Sequence, residues 1–184
     1  MKIQEKIFQD CAILKLEKFH DSRGYFYEAF NMSSFSELVC ETRFVQDNVS
    51  ISKKDVFRGI HLQKNPCPQG KFIQVLAGTL LDFIVDLRKN SKTFLEYKII
   101  ELSENDSNAI WIPPGFGHGF LAREDNTILS YKVDNWYSRD SEICLRYDDE
   151  QINIKELKNY NNLLLSEKDL NGSRLVDINL NELF

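Results

Sequence analysis

The stretch Lys71-Phe-Ile-Gln-Val-Leu-Ala-Gly-Thr-Leu-Leu-Asp-Phe-Ile-Val-Asp86 holds two strand-like runs on either side of a turn signal, Gly78-Thr79. In the first run apolar and polar residues mix at short range, and from Leu81 to Leu87 the side chains alternate with a period of two. That period is typical of a β-strand with one buried face. The stretch therefore predicts two consecutive strands joined by a tight turn.

Two further runs extend this pattern along the chain. Residues 109–112 form a β-rich run that stops at Pro113-Pro114-Gly115, and residues 127–133 place Leu129, Tyr131 and Val133 on one face. Short strands separated by turn signals are typical of an antiparallel sandwich or barrel. The sequence therefore predicts a mainly β fold.

Helical signals are confined to the flanks of this β-rich region. A short helix is expected at residues 33–39 with Ser33 or Ser34 as its cap, and single turns at residues 152–157 and 166–169. At 184 residues, with neither a linker nor an internal repeat, the chain is predicted to form a single domain over residues 1–184.

Composition and charge limit the classes of partner. Hydrophobic residues make up 42% and charged residues 28% of the chain, and the net charge is −5. An acidic chain is a poor match to nucleic acid or to an anionic membrane, so neither is predicted as a partner. Apolar runs fall short of the roughly 20 residues of a membrane helix, and the first residues lack the apolar stretch of a signal peptide.

The cysteines indicate a reducing compartment. Cys11, Cys40, Cys67 and Cys144 are widely scattered and form no CxxC pair. This spacing matches neither a zinc site nor a disulfide framework, so a reduced, cytoplasmic protein is expected.

Histidine is scarce, and two of the three histidines have informative neighbours. His61 follows Arg58 by three residues, and His118 follows the Pro113-Pro114-Gly115 turn, whereas His20 stands apart. Imidazole is the side chain best matched to proton transfer near neutral pH. For either histidine taken alone, a buried and hydrogen-bonded core residue is the simpler interpretation. The surrounding residues favour a functional one.

A metal centre is the rival use of these histidines. A cupin metal site typically contains two histidines in H-x-H spacing. Here Gln63 stands two residues after His61, where the second histidine would be. Glutamine is a poor ligand for transition metals. No metal is therefore predicted.

Other polar groups near the histidines suit the chemistry of an anionic ligand. Arg58 offers a fork that fits phosphate oxygens, and Lys71 a compact cation suited to a developing oxyanion. Taken alone, Arg58 and Lys71 are more simply surface charges. Two further candidates also have simple structural interpretations: Tyr131 could be a core aromatic residue, and Asp169 could be a helix cap.

A series of short motifs, in order along about residues 5–178, resembles the dTDP-4-dehydrorhamnose 3,5-epimerase family. Each motif alone is weak, whereas their joint order and spacing are specific. They are Asp21-Ser-Arg-Gly24-Tyr-Phe-Tyr-Glu28, Gln46-Asp-Asn48-Val-Ser50-Ile-Ser52, Arg58-Gly-Ile-His61-Leu-Gln63, Gln69-Gly-Lys71, Gly78 to Asp82, Val85-Asp86-Leu-Arg88 with Ser91, Ile112-Pro-Pro-Gly-Phe-Gly-His118-Gly-Phe120, Tyr131-Lys132, Tyr137 and Ser166-Glu-Lys-Asp169.

The resemblance implies a fold, an assembly and a reaction. The fold would be a cupin-type antiparallel jelly-roll sandwich with a few short flanking helices, and the chain would form a homodimer with exchanged N-terminal strands. The substrate would be a dTDP-4-keto-6-deoxy sugar, dTDP-4-dehydro-6-deoxy-D-glucose, epimerised at both carbons beside the ketone to dTDP-4-dehydro-L-rhamnose. No cofactor would be needed.

The resemblance also implies roles for individual residues. His61, oriented by Asp169, would be the general base, Tyr131 the acid on the opposite face, and Lys71 the group that stabilises the enolate oxygen. Nucleotide or sugar binding would fall to Arg23, Phe26, Glu28, Gln46, Asp47, Asn48, Arg58, His118, Tyr137, Glu142 and Lys168.

Some positions depart from the family's pattern. The segment Ile154-Lys-Glu-Leu-Lys158 replaces the usual Ile-x-Trp-Pro, Gly117 stands where alanine is common, and the loop Asn65-Pro-Cys-Pro68 is unusual. These departures leave open a one-centre epimerase acting on a related nucleotide-4-keto sugar. A non-catalytic, cupin-like module that binds a nucleotide sugar is a further alternative.

Overall fold

A computed structural model describes residues 1–158 and 160–183 of the chain. Within these residues the secondary structure is mainly β, as the sequence predicted, with short helices on the flanks. The strands are β1 (Lys2–Ile7), β2 (Cys11–Lys15), β3 (Lys18–Asp21), β4 (Gly24–Tyr27), β5 (Gln46–Ser52), β6 (Phe57–Gln63), β7 (Lys71–Ala77), β8 (Thr79–Asp86), β9 (Tyr97–Ser103), β10 (Asn108–Ile112), β11 (Phe116–Ala122), β12 (Thr127–Val133) and β13 (Glu142–Cys144).

Two sheets form the body of the fold. One has six strands in the order β1-β2-β10-β7-β12-β5, and the other has five in the order β13-β6-β11-β8-β9. The paired strands of both sheets are antiparallel. Strands β3 and β4 form a separate hairpin. This arrangement confirms the predicted antiparallel sandwich.

The two sheets bury a shared apolar layer. Ile73 and Ile110 from the six-stranded sheet belong to the same cluster as Leu80, Ile84 and Phe120 from the five-stranded sheet. A second cluster joins the other side of β8, with Phe83 and Val85, to residues of the C-terminal segment. Strand β8 is therefore covered on both faces, which the alternating pattern did not indicate.

The helices differ in detail from the sequence-based expectation. Helix α1 (Met32–Leu38) begins one residue early, and its cap is Asn31, whose side chain accepts a hydrogen bond from the Ser34 amide at 3.1 Å. The expected caps Ser33 and Ser34 lie inside the helix. Asparagine caps at least as well as serine, since either side chain can accept from an orphan amide of the first turn.

The C-terminal region holds the remaining helices. Helix α2 (Lys155–Lys158) lies at the end of the predicted turn, and α3 (Glu167–Leu170) begins after Ser166, whose hydroxyl accepts a hydrogen bond from the Asp169 amide. Short 3₁₀ helices follow at Leu175–Asp177 and Leu180–Glu182. Among the described residues, none of these helices has the length and apolar character needed to span a membrane.

Candidate active site

A cavity of about 500 Å³ opens between the two sheets. It collects side chains from β5, β6, β7, β11, β12 and α3 that lie far apart in the sequence. Eleven of the fifteen residues singled out from the sequence line it: Gln46, Asn48, Arg58, His61, Lys71, His118, Tyr131, Tyr137, Glu142, Lys168 and Asp169.

His61 and Asp169 form a hydrogen-bonded pair in this cavity. The distance between His61 Nε2 and Asp169 Oδ1 is 2.7 Å, and the exposed fractions of the two side chains are 28% and 4%. Burial opposes ionisation of Asp169, but hydrogen bonds from His61 and Ser166 outweigh it and lower the pKa of the carboxyl to about 2. An ionised carboxylate only accepts, so Nε2 carries the proton and Nδ1 is the basic nitrogen of the neutral ring.

Gly59 allows this pair to form. Its φ is +136°, a region that favours glycine, and an added Cβ would lie 2.4 Å from the Gly119 Cα on β11. The pairing of β6 with β11 shifts register between His118 and Phe120, opposite this close approach. The Gly59 amide also points at Asp169, with its nitrogen 3.4 Å from Oδ1. The close packing of β6 against β11 thus explains why a glycine stands in the Arg58-Gly-Ile-His61 motif.

A second histidine–aspartate pair lies deeper in the sandwich. His118 Nε2 is 2.7 Å from Asp82 Oδ2, and the exposed fractions of these side chains are 9% and 0%. Burial lowers the pKa of His118 against the opposing effect of Asp82, so a neutral imidazole donates to the carboxylate. Asp82 was not singled out as a site residue, although an aspartate flanked by apolar residues within a predicted strand is the signal that points to it.

Lys71 lies between the two pairs. Its Nζ donates to the His61 backbone oxygen at 3.2 Å. Burial lowers the pKa of Lys71 to about 8, although the Asp82 and Glu142 carboxylates favour its charged form. The site therefore holds a desolvated cation beside the His61 strand, where a developing negative charge on a ligand would be stabilised strongly.

Tyr131 projects from β12, the neighbour of both β5 and β7 in the six-stranded sheet. Burial raises the pKa of its phenol, the Arg58 charge opposes this, and the Glu142 carboxylate adds to it. The phenol therefore keeps its proton at neutral pH and can act as a proton donor.

A polar chain forms one wall of the cavity. The Tyr137 hydroxyl donates to Glu142 Oε2 at 3.0 Å, and Lys168 Nζ lies 2.5 Å from Glu142 Oε1. Across the cavity mouth, Gln46 donates to Asn48 at 2.7 Å. Tyr137 is 58% exposed. This wall offers an aromatic face and hydrogen-bonding groups to a ligand larger than a single sugar.

Gln63, which occupies the position of the second histidine of a cupin metal site, has a structural use here. Its side-chain nitrogen donates to the backbone oxygens of Cys67 and Trp136, and its side-chain oxygen accepts from the Ser138 amide at 2.7 Å. Its amide therefore anchors the segment that carries Tyr137.

The remaining predicted site residues lie outside this cavity. Arg23, Phe26 and Glu28 belong to the β3–β4 hairpin or follow it, and Phe26 is 67% exposed. Arg23 pairs with Asp21 at 2.6 Å, and Glu28 accepts from Asn31. Asp47 projects from β5 and pairs with Lys132.

The fold and the site together define a class: a jelly-roll sandwich with a histidine–carboxylate pair, a buried lysine and a tyrosine in one polar cavity. Comparison with known proteins narrows this class. The model of the dTDP-4-dehydrorhamnose 3,5-epimerase family matches residues 5–177. The chain belongs to that family, whose members are isomerases.

Three known proteins illustrate the similarity. The dTDP-4-dehydrorhamnose 3,5-epimerase of Shigella flexneri is 40% identical over 96% of this chain and 97% of its own. The crystal structure of a dTDP-6-deoxy-D-glucose-3,5-epimerase from Legionella pneumophila in complex with dTDP-4-keto-L-rhamnose is 36% identical, covers 98% of this chain and 95% of its own, and has a TM-score of 0.90. A 3'-monoepimerase from Streptomyces bikiniensis in complex with dTDP-quinovose is 27% identical, covers 91% and 84%, and has a TM-score of 0.84. These likenesses confirm the predicted cupin-type fold.

Proposed function

We propose that this protein epimerises dTDP-4-dehydro-6-deoxy-D-glucose at the two carbons beside its keto group and so forms dTDP-4-dehydro-L-rhamnose. The observation that carries the proposal is the placement of His61, Asp169, Lys71 and Tyr131 around one cavity. Each group offers what the reaction requires: His61 an imidazole hydrogen-bonded to an ionised Asp169, Lys71 a cation and Tyr131 a protonated phenol.

The first step is proton abstraction. A C–H beside a ketone is weakly acidic, so the enolate must be stabilised while a base collects the proton. Nδ1 of His61 accepts the proton, and Asp169 stabilises the imidazolium that forms. Lys71 stabilises the enolate oxygen as negative charge develops there, and its desolvation strengthens that interaction.

The second step returns a proton to the other face of the ring. Inversion requires a donor on the side opposite the base, since a single base tends to return the proton to the face it came from. Tyr131 belongs to the six-stranded sheet, and His61 to the five-stranded sheet. The two groups therefore approach the cavity from opposite layers of the sandwich, which supports their assignment as acid and base.

Nucleotide binding uses other residues that line the same cavity. Arg58 supplies a guanidinium for phosphate oxygens, and Tyr137 an aromatic face for the base or sugar. Glu142, Lys168, Gln46 and Asn48 supply polar contacts. Binding energy from these remote groups positions the reacting sugar. His118, held by Asp82, also lines the cavity, and its free Nδ1 is assigned to the sugar as an acceptor.

We also propose a homodimer in which N-terminal strands are exchanged. Phe19, Tyr25 and Phe26 are exposed on the hairpin, and Val49 and Ile51 are exposed on the edge strand β5. Pairing of these apolar surfaces would bury them and would bring Arg23, Phe26 and Glu28 of one chain to the cavity of the other. Light scattering tests this assembly, and a monomer that retains full activity would contradict it. The four unpaired cysteines fit a reducing, cytoplasmic setting.

A one-centre epimerase is the second candidate. The similarity to the 3'-monoepimerase of Streptomyces bikiniensis favours it, because that protein shares the fold at a TM-score of 0.84. The same base and enolate chemistry serves both reactions, and the outcome depends on which carbon meets the base and the acid.

Solvent exchange distinguishes the candidates. The protein is incubated with dTDP-4-dehydro-6-deoxy-D-glucose in heavy water, and the sugar is followed by proton NMR. Deuterium at both carbons beside the ketone, with formation of the L-sugar, is the expected result. Exchange at one carbon would establish a one-centre epimerase. Absence of exchange with retained dTDP binding would instead point to a binding module.

A further inference from the structure

A thiol lies against the His61–Asp169 pair. Cys144 on β13 is directly opposite His61 on β6, and opposed residues of an antiparallel pair project to the same face. Its Sγ is 3.6 Å from Asp169 Oδ1, the oxygen that also contacts His61 Nε2 at 2.7 Å. The sulfur, the imidazole nitrogen and the carboxylate oxygen all lie within 4.8 Å of one another.

These three atoms suit a thiophilic cation. Thiolate sulfur, imidazole nitrogen and carboxylate oxygen are the protein ligands of Zn²⁺, and bonds of about 2.0–2.3 Å in a tetrahedral site place neighbouring ligand atoms about 3–4 Å apart. The observed separations already approach that spacing, so small side-chain rotations bring the three groups onto one ion. A water molecule can complete the coordination.

The ion has its own route to this position. Cys144 lines a second cavity, of about 530 Å³, together with Asn171 and Asp177. Glu142 and Lys168 line both this cavity and the substrate cavity, so their ion pair stands between the two. A cation can therefore reach the back of the His61–Asp169 pair without displacing a nucleotide sugar.

We propose that a thiophilic divalent cation, Zn²⁺ being the natural example, binds to Cys144, His61 and Asp169 and switches the catalytic base off. The thiol proton and the Nε2 proton must both be displaced. The first leaves to solvent, as a coordinating thiol is deprotonated outright. The second moves through solvent to Nδ1, so the neutral ring has no basic nitrogen left to take a proton from the substrate. The proposed cation site does not depend on the proposed function, whereas the proposed inhibition rests on it.

Burial and the nearby Asp169 charge raise the pKa of the Cys144 thiol to about 12. Without a cation the group is therefore a neutral donor to Asp169 and does not disturb the pair. Because thiolate sulfur is a soft ligand, the cluster favours Zn²⁺ or Cd²⁺ over Mg²⁺ or Ca²⁺.

Cobalt substitution tests the site directly. The full chain is titrated with Co²⁺, and the thiolate-to-cobalt charge-transfer band is recorded. Wild type and Cys40→Ser, which removes a half-buried thiol from a different cavity, are expected to show the band. Cys144→Ser is expected to lose it and to bind at least about tenfold more weakly, since loss of even an outer-shell partner costs about 10–100-fold. An unchanged band and affinity in Cys144→Ser would overturn the proposal.

Inhibition is measured by the same solvent-exchange reaction. Zn²⁺ should lower the maximal rate of the wild type while dTDP binding is retained, and Cys144→Ser should need at least about tenfold more Zn²⁺ for the same loss. Equal sensitivity of the two proteins, or displacement of Zn²⁺ by dTDP, would contradict the proposal. If the cobalt band depends on Cys144 but the protein never epimerises the sugar, the metal site holds and the proposed function is wrong.

Discussion

The molecule contains two histidine–aspartate pairs with the same 2.7 Å contact and different surroundings. His61 is partly exposed to the cavity, and its partner Asp169 comes from a helix far along the chain. His118 and Asp82 are both buried and lie on neighbouring strands of one sheet. An accessible imidazole can exchange protons with a ligand, whereas a buried one is held neutral. The exposure of the imidazole to the cavity, rather than its pairing with an aspartate, therefore distinguishes a candidate base from a positioning group.

Removal of the accessible histidine should have the largest effect. His61→Ala removes the basic nitrogen, and we expect deuterium exchange into the sugar to fall by about 10⁴-fold, the upper end of the contribution of a general base. Binding of dTDP, measured by calorimetry, should change little because His61 is assigned to the reacting sugar and not to the nucleotide. Exchange at the wild-type rate would disprove the assignment of the base.

Loss of the partner of His61 should rank next. Asp169→Asn keeps the shape but removes the charge that fixes the Nε2–H tautomer and stabilises the imidazolium, so kcat should fall by about 10²–10³-fold. KM should change far less than kcat. Asp148→Asn, which removes a partly exposed carboxylate paired with Arg146, is the matched control and should leave kcat unchanged.

Tyr131→Phe probes the face opposite His61. Without its proton donor, net inversion should fall by about 10²-fold, while exchange of the substrate proton with solvent should fall by less than about tenfold. The two rates are separated by following deuterium uptake and product formation in the same NMR experiment. Equal loss of both would show that the tyrosine also takes part in proton abstraction.

The buried pair should respond as a positioning group. His118→Asn leaves Asp82 without its buried partner, and we expect a loss of about 1–3 kcal/mol in the free energy of unfolding, measured with urea. The rate of exchange at saturating substrate should fall by less than about tenfold. A loss as large as that of His61→Ala, in a folded variant, would make His118 a second catalytic group.

Lys71, whose charge is influenced by Asp82, supplies the subtlest test. Its pKa of about 8 makes the cation disappear as the pH rises through that value, so activity should decline on the alkaline side. Asp82 raises this pKa, so Asp82→Asn should move the alkaline decline to lower pH. Asp169→Asn should leave it in place. If the alkaline decline stays at the same pH in Asp82→Asn, deprotonation of Lys71 is not its cause.

Regular β structure was predictable from local pattern. Strands β7 and β12 have the expected bounds, and β10 begins one residue earlier than expected. The cap of α1 was predicted wrongly because several adjacent residues can cap a helix, and packing of Phe35 against Phe30 and Trp111 fixes where it starts. Asp82 was missed as a site residue because strand alternation suggested a polar face, whereas both faces of β8 are covered.

The sequence by itself determined the β-rich class and the family, because alternation and motif order are local properties of the chain. The family resemblance already implied that Asp169 orients His61, whereas only the tertiary structure decided that Asp82 meets His118 and that Cys144 lies behind the first pair. Hydrogen bonds and desolvation act over a few ångströms, so protonation states follow from neighbours in space. Separation along the chain carries no information about them.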